Sequence, residues 1–156
     1  MGCPDYTAIR RQCYDHAMAP LQRILYIDDH QDILEIGKLA LVKLGRFQVD
    51  TCDTSQAALA LATAAPDSPP DLIVMDYSMP EMDGRTLLDL LRALPGWTDV
   101  LAVFSTAHGP EDQHGRLQGP GIIGQVRKPF DPLQLAQRLR DLWQAHHDGV
   151  AGTPAA

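Results

Sequence analysis

Leu72-Ile73-Val74-Met75-Asp76-Tyr77-Ser78-Met79-Pro80-Glu81-Met82-Asp83-Gly84 is the stretch from which the fold can be read. Four consecutive apolar residues without alternation are the pattern of a strand covered on both faces, the habit of a parallel strand inside an α/β sheet. The run ends at a carboxylate and passes through the Met79-Pro80 turn. At Gly84 it enters a helical pattern that lasts to Leu94 and is stopped by Pro95-Gly96. This is one strand-then-helix unit, with an acid delivered to the carboxyl end of its strand.

The unit repeats in both directions. Upstream, Ile24-Leu25-Tyr26-Ile27 is a short apolar strand ending in Asp28-Asp29. Ile33, Leu34, Ile36, Leu39, Ala40, Val42 and Leu44 then recur at helical spacing before Gly45. Gln48 to Cys52 reads as a second strand, and Ser55 to Ala65 as an Ala-rich helix closed by the breaker Pro66-Asp67-Ser68-Pro69-Pro70. Downstream, Val100 to Phe104 is a fourth strand. Gly109, Pro110, Gly115, Gly119, Pro120 and Gly121 then crowd the place where a helix is due, so that helix is expected to be short, distorted or mobile. Gly124 to Arg127 is a weaker fifth strand leading into Lys128-Pro129. Leu133, Leu135, Leu139, Leu142 and Trp143 mark the apolar face of a last helix.

Five such units imply a doubly wound α/β fold, a five-stranded parallel sheet covered on both faces and built from right-handed crossovers. The expected organisation is an extension over residues 1–20, with a short helix from Tyr6 to Met18, a folded domain over 21–147 and a frayed tail over 148–156. A chain of 156 residues suits a single domain with short tails, and 45% hydrophobic with 21% charged residues suits a soluble globular protein. The formal charge of −7, with no dense Lys/Arg run, argues against a direct grip on nucleic acid. Cys3, Cys13 and Cys52 are odd in number and lack metal-ligand spacing, which points to a reducing cytoplasm rather than a disulfide framework. No stretch reads as a secretion signal or a membrane span.

In a doubly wound sheet the ligand site lies beyond the carboxyl ends of the strands. That rule gathers Asp28 and Asp29, Asp76, Ser105 and Thr106, and Lys128 on one edge. A lone strand-end Asp is as often a helix N-cap as a ligand, and a lone Thr is more often a loop hydrogen-bonder. Three carboxylates with a lysine shift the balance, because clustered carboxylates repel one another and a hard divalent cation such as Mg²⁺ relieves that repulsion. Lys128 can pair with a carboxylate at rest and with a phosphoryl oxygen after transfer, and the Thr106 hydroxyl can donate to another such oxygen. An Asp nucleophile, Mg²⁺, a lysine and a hydroxyl are the equipment for phosphoryl transfer to a carboxylate, with an acyl phosphate at Asp76 as product. His108 is more often an exposed loop histidine than a group that tunes the phosphoryl lifetime. His16, His114, His146 and His147 read as surface residues, Trp97 and Trp143 as packing residues, and Cys52 as a small buried apolar side chain.

Ile27-Asp28-Asp29, the Leu72-to-Gly84 block, Thr106-Ala107 and Lys128-Pro129-Phe130 together resemble the response-regulator receiver signature, over about Leu21 to His146. The separations of 30 residues from Asp76 to Thr106 and 22 from Thr106 to Lys128 match it as well. The resemblance implies a flavodoxin-like (βα)5 fold with strand order 2-1-3-4-5, of the single-domain chemotaxis type. It implies Asp76 as phospho-acceptor, with Asp28, Asp29, Asp76 and the Ser78 backbone carbonyl around Mg²⁺ and with Thr106 and Lys128 reading the phosphoryl group. It also implies a histidine kinase or histidine phosphotransfer protein as donor, a downstream protein target, and compatibility with a homodimer. Such a domain is a signalling phospho-acceptor rather than an enzyme on other substrates, catalysing only its own phosphorylation and dephosphorylation.

Two positions depart from the pattern. Gln125 replaces the aromatic residue three positions before the lysine and cannot swing a ring. This weakens the case for output through the fourth helix, fifth strand and last helix. His30 stands where an acidic residue is common. The competing readings are a haloacid-dehalogenase-type hydrolase, a phosphorylation-independent interaction module of the same fold, and a fragment of a larger regulator or hybrid kinase. The first needs a D-x-D nucleophile motif that Asp76-Tyr77-Ser78 lacks, and the intact acidic and basic set speaks against the second.

Overall fold

The computed structural model describes residues 20–107 and 115–152. The apolar runs form β1 (Arg23–Ile27), β2 (Gln48–Cys52), β3 (Leu72–Asp76), β4 (Leu101–Thr106) and β5 (Ile122–Arg127). Between and after them lie α1 (Gln31–Lys43), α2 (Ser55–Ala64), α3 (Gly84–Arg92) and α4 (Pro132–Gly152). All strand pairings are parallel, and the order in the sheet is β2-β1-β3-β4-β5. The doubly wound flavodoxin-like arrangement is therefore present, with the order reversing between β1 and β3.

The period-two geometry of the strands divides the core into two layers. Leu25, Ile27, Ile73, Met75, Ala102 and Phe104 pack with Ala58, Ala62, Leu87, Leu88 and Leu91 from α2 and α3. Ile24, Tyr26, Leu72, Val74 and Val103 pack with Leu34, Leu41, Leu135, Ala136 and Leu139 from α1 and α4. All five residues of β3 are buried, as a central strand covered on both faces requires. Trp97 is fully buried, and its indole N–H donates to the Ala65 carbonyl at 3.0 Å, so it is the packing residue its sequence context implies. Cys52 is buried as well, and burial first, then the charges of Asp50 and Asp53, push its thiol up to about 11.

Several expectations need correction. In α1 only Leu34 and Ala40 of the predicted apolar set are buried, joined by Gly37 and Leu41. Ile36, Leu39, Val42 and the flanking Leu44 face outward, because a stripe about 100° wide is all that the sheet covers. Leu133, in the first turn of α4, is likewise exposed. The strand β4 runs two residues past Phe104, which puts Ser105 and Thr106 inside the ladder rather than beyond it. Strand β5 begins at Ile122, with a register shift against β4 between Ala102 and Val103. Helix α4 continues to Gly152, past the start of the expected tail. His147 is half-buried rather than a free surface residue: its ring lies 4.4 Å from that of Trp143. The expected helix at Tyr6 to Met18, together with His16, His108 and His114, lies outside the described residues.

Over its described part, 115–121, the segment between β4 and β5 is a 3-10 residue at Gly115 followed by turns and a bend, with no α-helix, and Gly115, Gly119 and Gly121 stand at positive φ. Arginines fasten it to α3. Arg85 donates to the carbonyls of Gln118 (2.8 Å) and Arg116 (3.3 Å), and Arg92 donates to Pro120 (2.9 Å) and Val100 (2.9 Å). Arg116 returns the contact, placing one guanidinium nitrogen 3.0 Å from both carboxylate oxygens of Asp83.

Candidate functional site

Sheet register alone brings the predicted site together. Ile27 pairs with Met75, so Asp28 and Asp76 leave β1 and β3 at the same level. Asp76 pairs with Ser105, the residue before Thr106, and Thr106 pairs with Arg127, the residue before Lys128. The Lys128 amide donates to the Thr106 carbonyl at 2.8 Å, and the Lys128–Pro129 peptide is cis.

The side chains complete what the register begins. Lys128 Nζ lies 2.7 Å from Asp28 Oδ2 and 3.1 Å from Asp76 Oδ2, bridging two carboxylates on separate strands. Asp28 is wholly buried, and Asp76, Thr106 and Ser105 are nearly so. The other Asp76 oxygen accepts from the Ser78 amide at 3.1 Å. Asp29 is partly exposed at the rim, although its Oδ1 is shielded and accepts no hydrogen bond. Residues His30, Ile33, Asp76, Ser78, Ala107, Lys128 and Pro129 surround a cleft of about 500 Å³ that opens onto Asp76.

The loop after β3 is held from below. Asp83 caps α3 by accepting from the Thr86 amide at 2.7 Å, Ser78 bridges to Asp83, and the Gly84 amide donates to the Tyr77 carbonyl at 2.6 Å. Gly84 is needed because a Cβ there would stand 2.8 Å from the Asp76 carbonyl oxygen. Arg116 pairs with Asp83 and donates to the Tyr77 hydroxyl at 3.2 Å, and the Tyr77 ring meets Phe104 edge-on. Desolvation alone would raise Asp83, but the bonds from Thr86 and Arg116 outweigh it and hold this carboxyl below its ordinary range.

Burial raises the Asp76 carboxyl above its ordinary value, and the charge and hydrogen bond of Lys128 offset this only in part, while Asp28 adds to it. Burial alone would lower Lys128, yet its bond to Asp28 and the charges of Asp76 and Asp28 outweigh that and hold it above its usual range. The pocket therefore carries more negative charge than one lysine neutralises. Asp28, Asp29, His30 and Asp76 offer one ligand atom each within 4.8 Å of one another. That span lies between twice the Mg²⁺–O bond, about 4.0–4.2 Å, and twice the Ca²⁺–O bond, about 4.6–5.2 Å, so a closure of about half an ångström would seat Mg²⁺ among them.

Of the predicted site residues, Asp28, Asp29, Asp76, Ser78, Thr106 and Lys128 all lie at this edge. Sequence reasoning missed two things. One is the turn of His30 toward both aspartates, with Nδ1 at 3.2 Å from Asp28 and 3.3 Å from Asp29. The other is Arg116, whose only sequence signal is an arginine among glycines.

Comparison with known proteins agrees with this geometry. The family model described as "Response regulator receiver domain" matches residues 24–140. The transcriptional regulatory protein KdpE of Mycobacterium tuberculosis is 32% identical over 117 residues, covering 75% of this chain and 49% of that protein. A chemotaxis protein CheY homolog of Campylobacter jejuni is 28% identical over 120 residues, covering 77% of this chain and 91% of that one. The chain thus spans about half the length of the transcriptional regulators it matches. Among solved structures, the chemotaxis response regulator CheY4 of Vibrio cholerae superimposes with a TM-score of 0.67 at 24% identity, covering 78% of this chain and 98% of that one, a likeness of fold. Among the described residues, no helix is long and apolar enough to cross a membrane.

Proposed function

We propose that this chain, which belongs to the response regulator receiver domain family, accepts a phosphoryl group on Asp76 with the help of Mg²⁺ and thereby switches its binding to partner proteins. The observation that carries the reading is Lys128 lying within 3.1 Å of Asp76 and 2.7 Å of Asp28, at the mouth of a cleft that admits a donor. A structural ion pair would have no need of a third acid, a raised acceptor and an open approach.

The donor in this reading is a phosphohistidine, on a histidine kinase or a histidine phosphotransfer protein. An Asp76 carboxylate oxygen forms the new O–P bond as the donor's P–N bond breaks, and the leaving imidazole keeps the electron pair and takes up a proton. Asp28, Asp29, Asp76 and the Ser78 carbonyl would hold Mg²⁺, which supplies neutralisation of the negative charge gathered at the site. Lys128 exchanges its carboxylate partner for a phosphoryl oxygen, and Thr106 donates its hydroxyl to another. Mechanistically the protein contributes positioning and electrostatics. Its only catalysis is of its own phosphorylation and dephosphorylation.

We place the receiver domain at residues 21–147, flanked by the 1–20 extension and by residues 148–156, the first of which continue helix α4 to Gly152, in a reducing cytoplasm. The downstream target is a protein, with no direct role for nucleic acid, and a homodimer is compatible with this reading. Gln125 lies in β5 at the position of the family's switch aromatic, and an amide side chain there weakens the case for the usual output coupling. The test is intact mass spectrometry after incubation with acetyl phosphate and Mg²⁺. A single phosphoryl adduct, absent from Asp76→Asn and from a chelated sample, is the expected result. A folded protein that never gains the adduct would instead be a phosphorylation-independent binding module.

A further inference from the structure

His30 occupies the N-cap position of α1, where a side chain ordinarily accepts from the first free helical N–H groups, yet its imidazole makes no capping bond. The ring is turned instead toward the acidic pair. The His30 amide donates to Asp28 Oδ1 at 2.9 Å, which folds the residue back over the strand end, and Nδ1 then stands 3.2 Å from Asp28 Oδ1 and 3.3 Å from Asp29 Oδ1. The Asp29 oxygen facing it is shielded and accepts no hydrogen bond. The Nδ1 contact to Asp28 Oδ1 is a hydrogen bond that needs the ring proton on Nδ1. A cation entering the pocket replaces that proton, which then resides on Nε2, and the Nδ1 lone pair joins the carboxylate oxygens around the ion.

An imidazole changes which cation the pocket prefers. Mg²⁺ holds oxygen ligands and retains its waters, whereas imidazole nitrogen suits Zn²⁺, Ni²⁺ and related transition-metal ions. We propose that His30 Nδ1 is a direct ligand of the divalent cation in this pocket, and that this nitrogen biases the site toward transition-metal ions relative to Mg²⁺. The proposal rests on the reading above that Asp28, Asp29 and Asp76 hold a cation at all.

The experiment uses the full chain at fixed pH. Mn²⁺ is titrated in and binding followed by loss of the free-ion EPR signal, with pulsed EPR reporting any ¹⁴N coupling to the bound ion. Wild type, His30→Gln and Asp29→Asn are compared, and Ni²⁺ and Mg²⁺ affinities are measured by calorimetry. Mn²⁺ bound with an imidazole ¹⁴N coupling in wild type and none in His30→Gln is the expected result. Ni²⁺ affinity should fall by about tenfold or more in His30→Gln, with a much smaller change for Mg²⁺. Mn²⁺ bound without ¹⁴N coupling, or a coupling that survives His30→Gln, overturns the role of His30 and leaves the acidic site standing. Failure of wild type to bind Mn²⁺, or binding unaffected by Asp29→Asn, overturns the cation site itself.

Discussion

Replacing Gly84 by Ala tests how tightly the acceptor loop is seated. A Cβ at this position would stand 2.8 Å from the Asp76 carbonyl oxygen, 3.0 Å from Tyr77 Cα and 3.0 Å from the Phe104 ring. Unstrained carbon contacts lie near 3.5–4.0 Å, so something must shift by about half an ångström. Two of the three neighbours are backbone, and Phe104 is fully buried, so no flexible side chain can absorb the move. Overpacking of this kind costs about 1–3 kcal/mol, against which Ala regains up to about 1 kcal/mol of helix propensity. The net expectation is a loss of about 1–2 kcal/mol, which lowers Tm by roughly 2–8 °C. Because the pressure falls on the backbone of Asp76 and Tyr77, phosphorylation by acetyl phosphate should slow by about tenfold or more. Urea unfolding and a mass-spectrometric time course check the two parts. A variant within about 0.5 kcal/mol of wild type that phosphorylates at the normal rate would refute the reasoning.

The remaining predictions concern other positions and conditions. Gly149→Ala, in α4 with no atom of the described residues within 4 Å of the added carbon, should stabilise by about 0.5–1 kcal/mol in the same urea assay. Lys128→Met strands the buried Asp28 and Asp76 carboxylates and should lower stability at neutral pH by on the order of 3 kcal/mol. Mg²⁺ should then raise the melting temperature of that variant more than that of wild type, since the ion no longer competes with the lysine for Asp28 and Asp76. Lys128 is held above its ordinary 10.5, so its contribution is present below that pH and is lost as pH climbs through the folded value; alkaline unfolding by circular dichroism should therefore be less steep in Lys128→Met. Asp83 is held below its ordinary 3.8, so its contribution is present above that value and lost as pH falls through the folded one. Asp83→Asn should flatten acid unfolding below about pH 4 without moving the alkaline limb.

The strands and the acidic edge were legible in the sequence because each depends on local chemistry. An unbroken apolar run such as Leu72 to Met75 has only one stable place, the middle of a covered sheet, and a parallel ladder then carries Asp28, Asp76, Thr106 and Lys128 to the same edge. Helix faces were less legible. Ile36 and Leu39 are apolar at helical spacing and yet exposed, because periodicity shows that a helix exists while the sheet decides which stripe it covers. Of the Gly- and Pro-rich stretch 109–121, the described part 115–121 holds no α-helix, and its attachment was invisible: Arg85, Arg92 and Arg116 meet carbonyls and a carboxylate that are remote in sequence. The aim of the His30 ring was hidden for a similar reason, since a residue after an acidic pair can turn either way and the Asp28–amide bond decides.

The central claim is that the phosphoryl group resides on Asp76 itself, and chemical mapping tests it most directly. Protein treated with acetyl phosphate and Mg²⁺ is reduced with borohydride, which converts a phosphorylated aspartate to homoserine, and its peptides are sequenced by mass spectrometry. Homoserine at position 76, dependent on Mg²⁺ and absent without the phosphoryl donor, is the predicted result. Homoserine at another aspartate, or at none while the protein stays folded, would contradict the account.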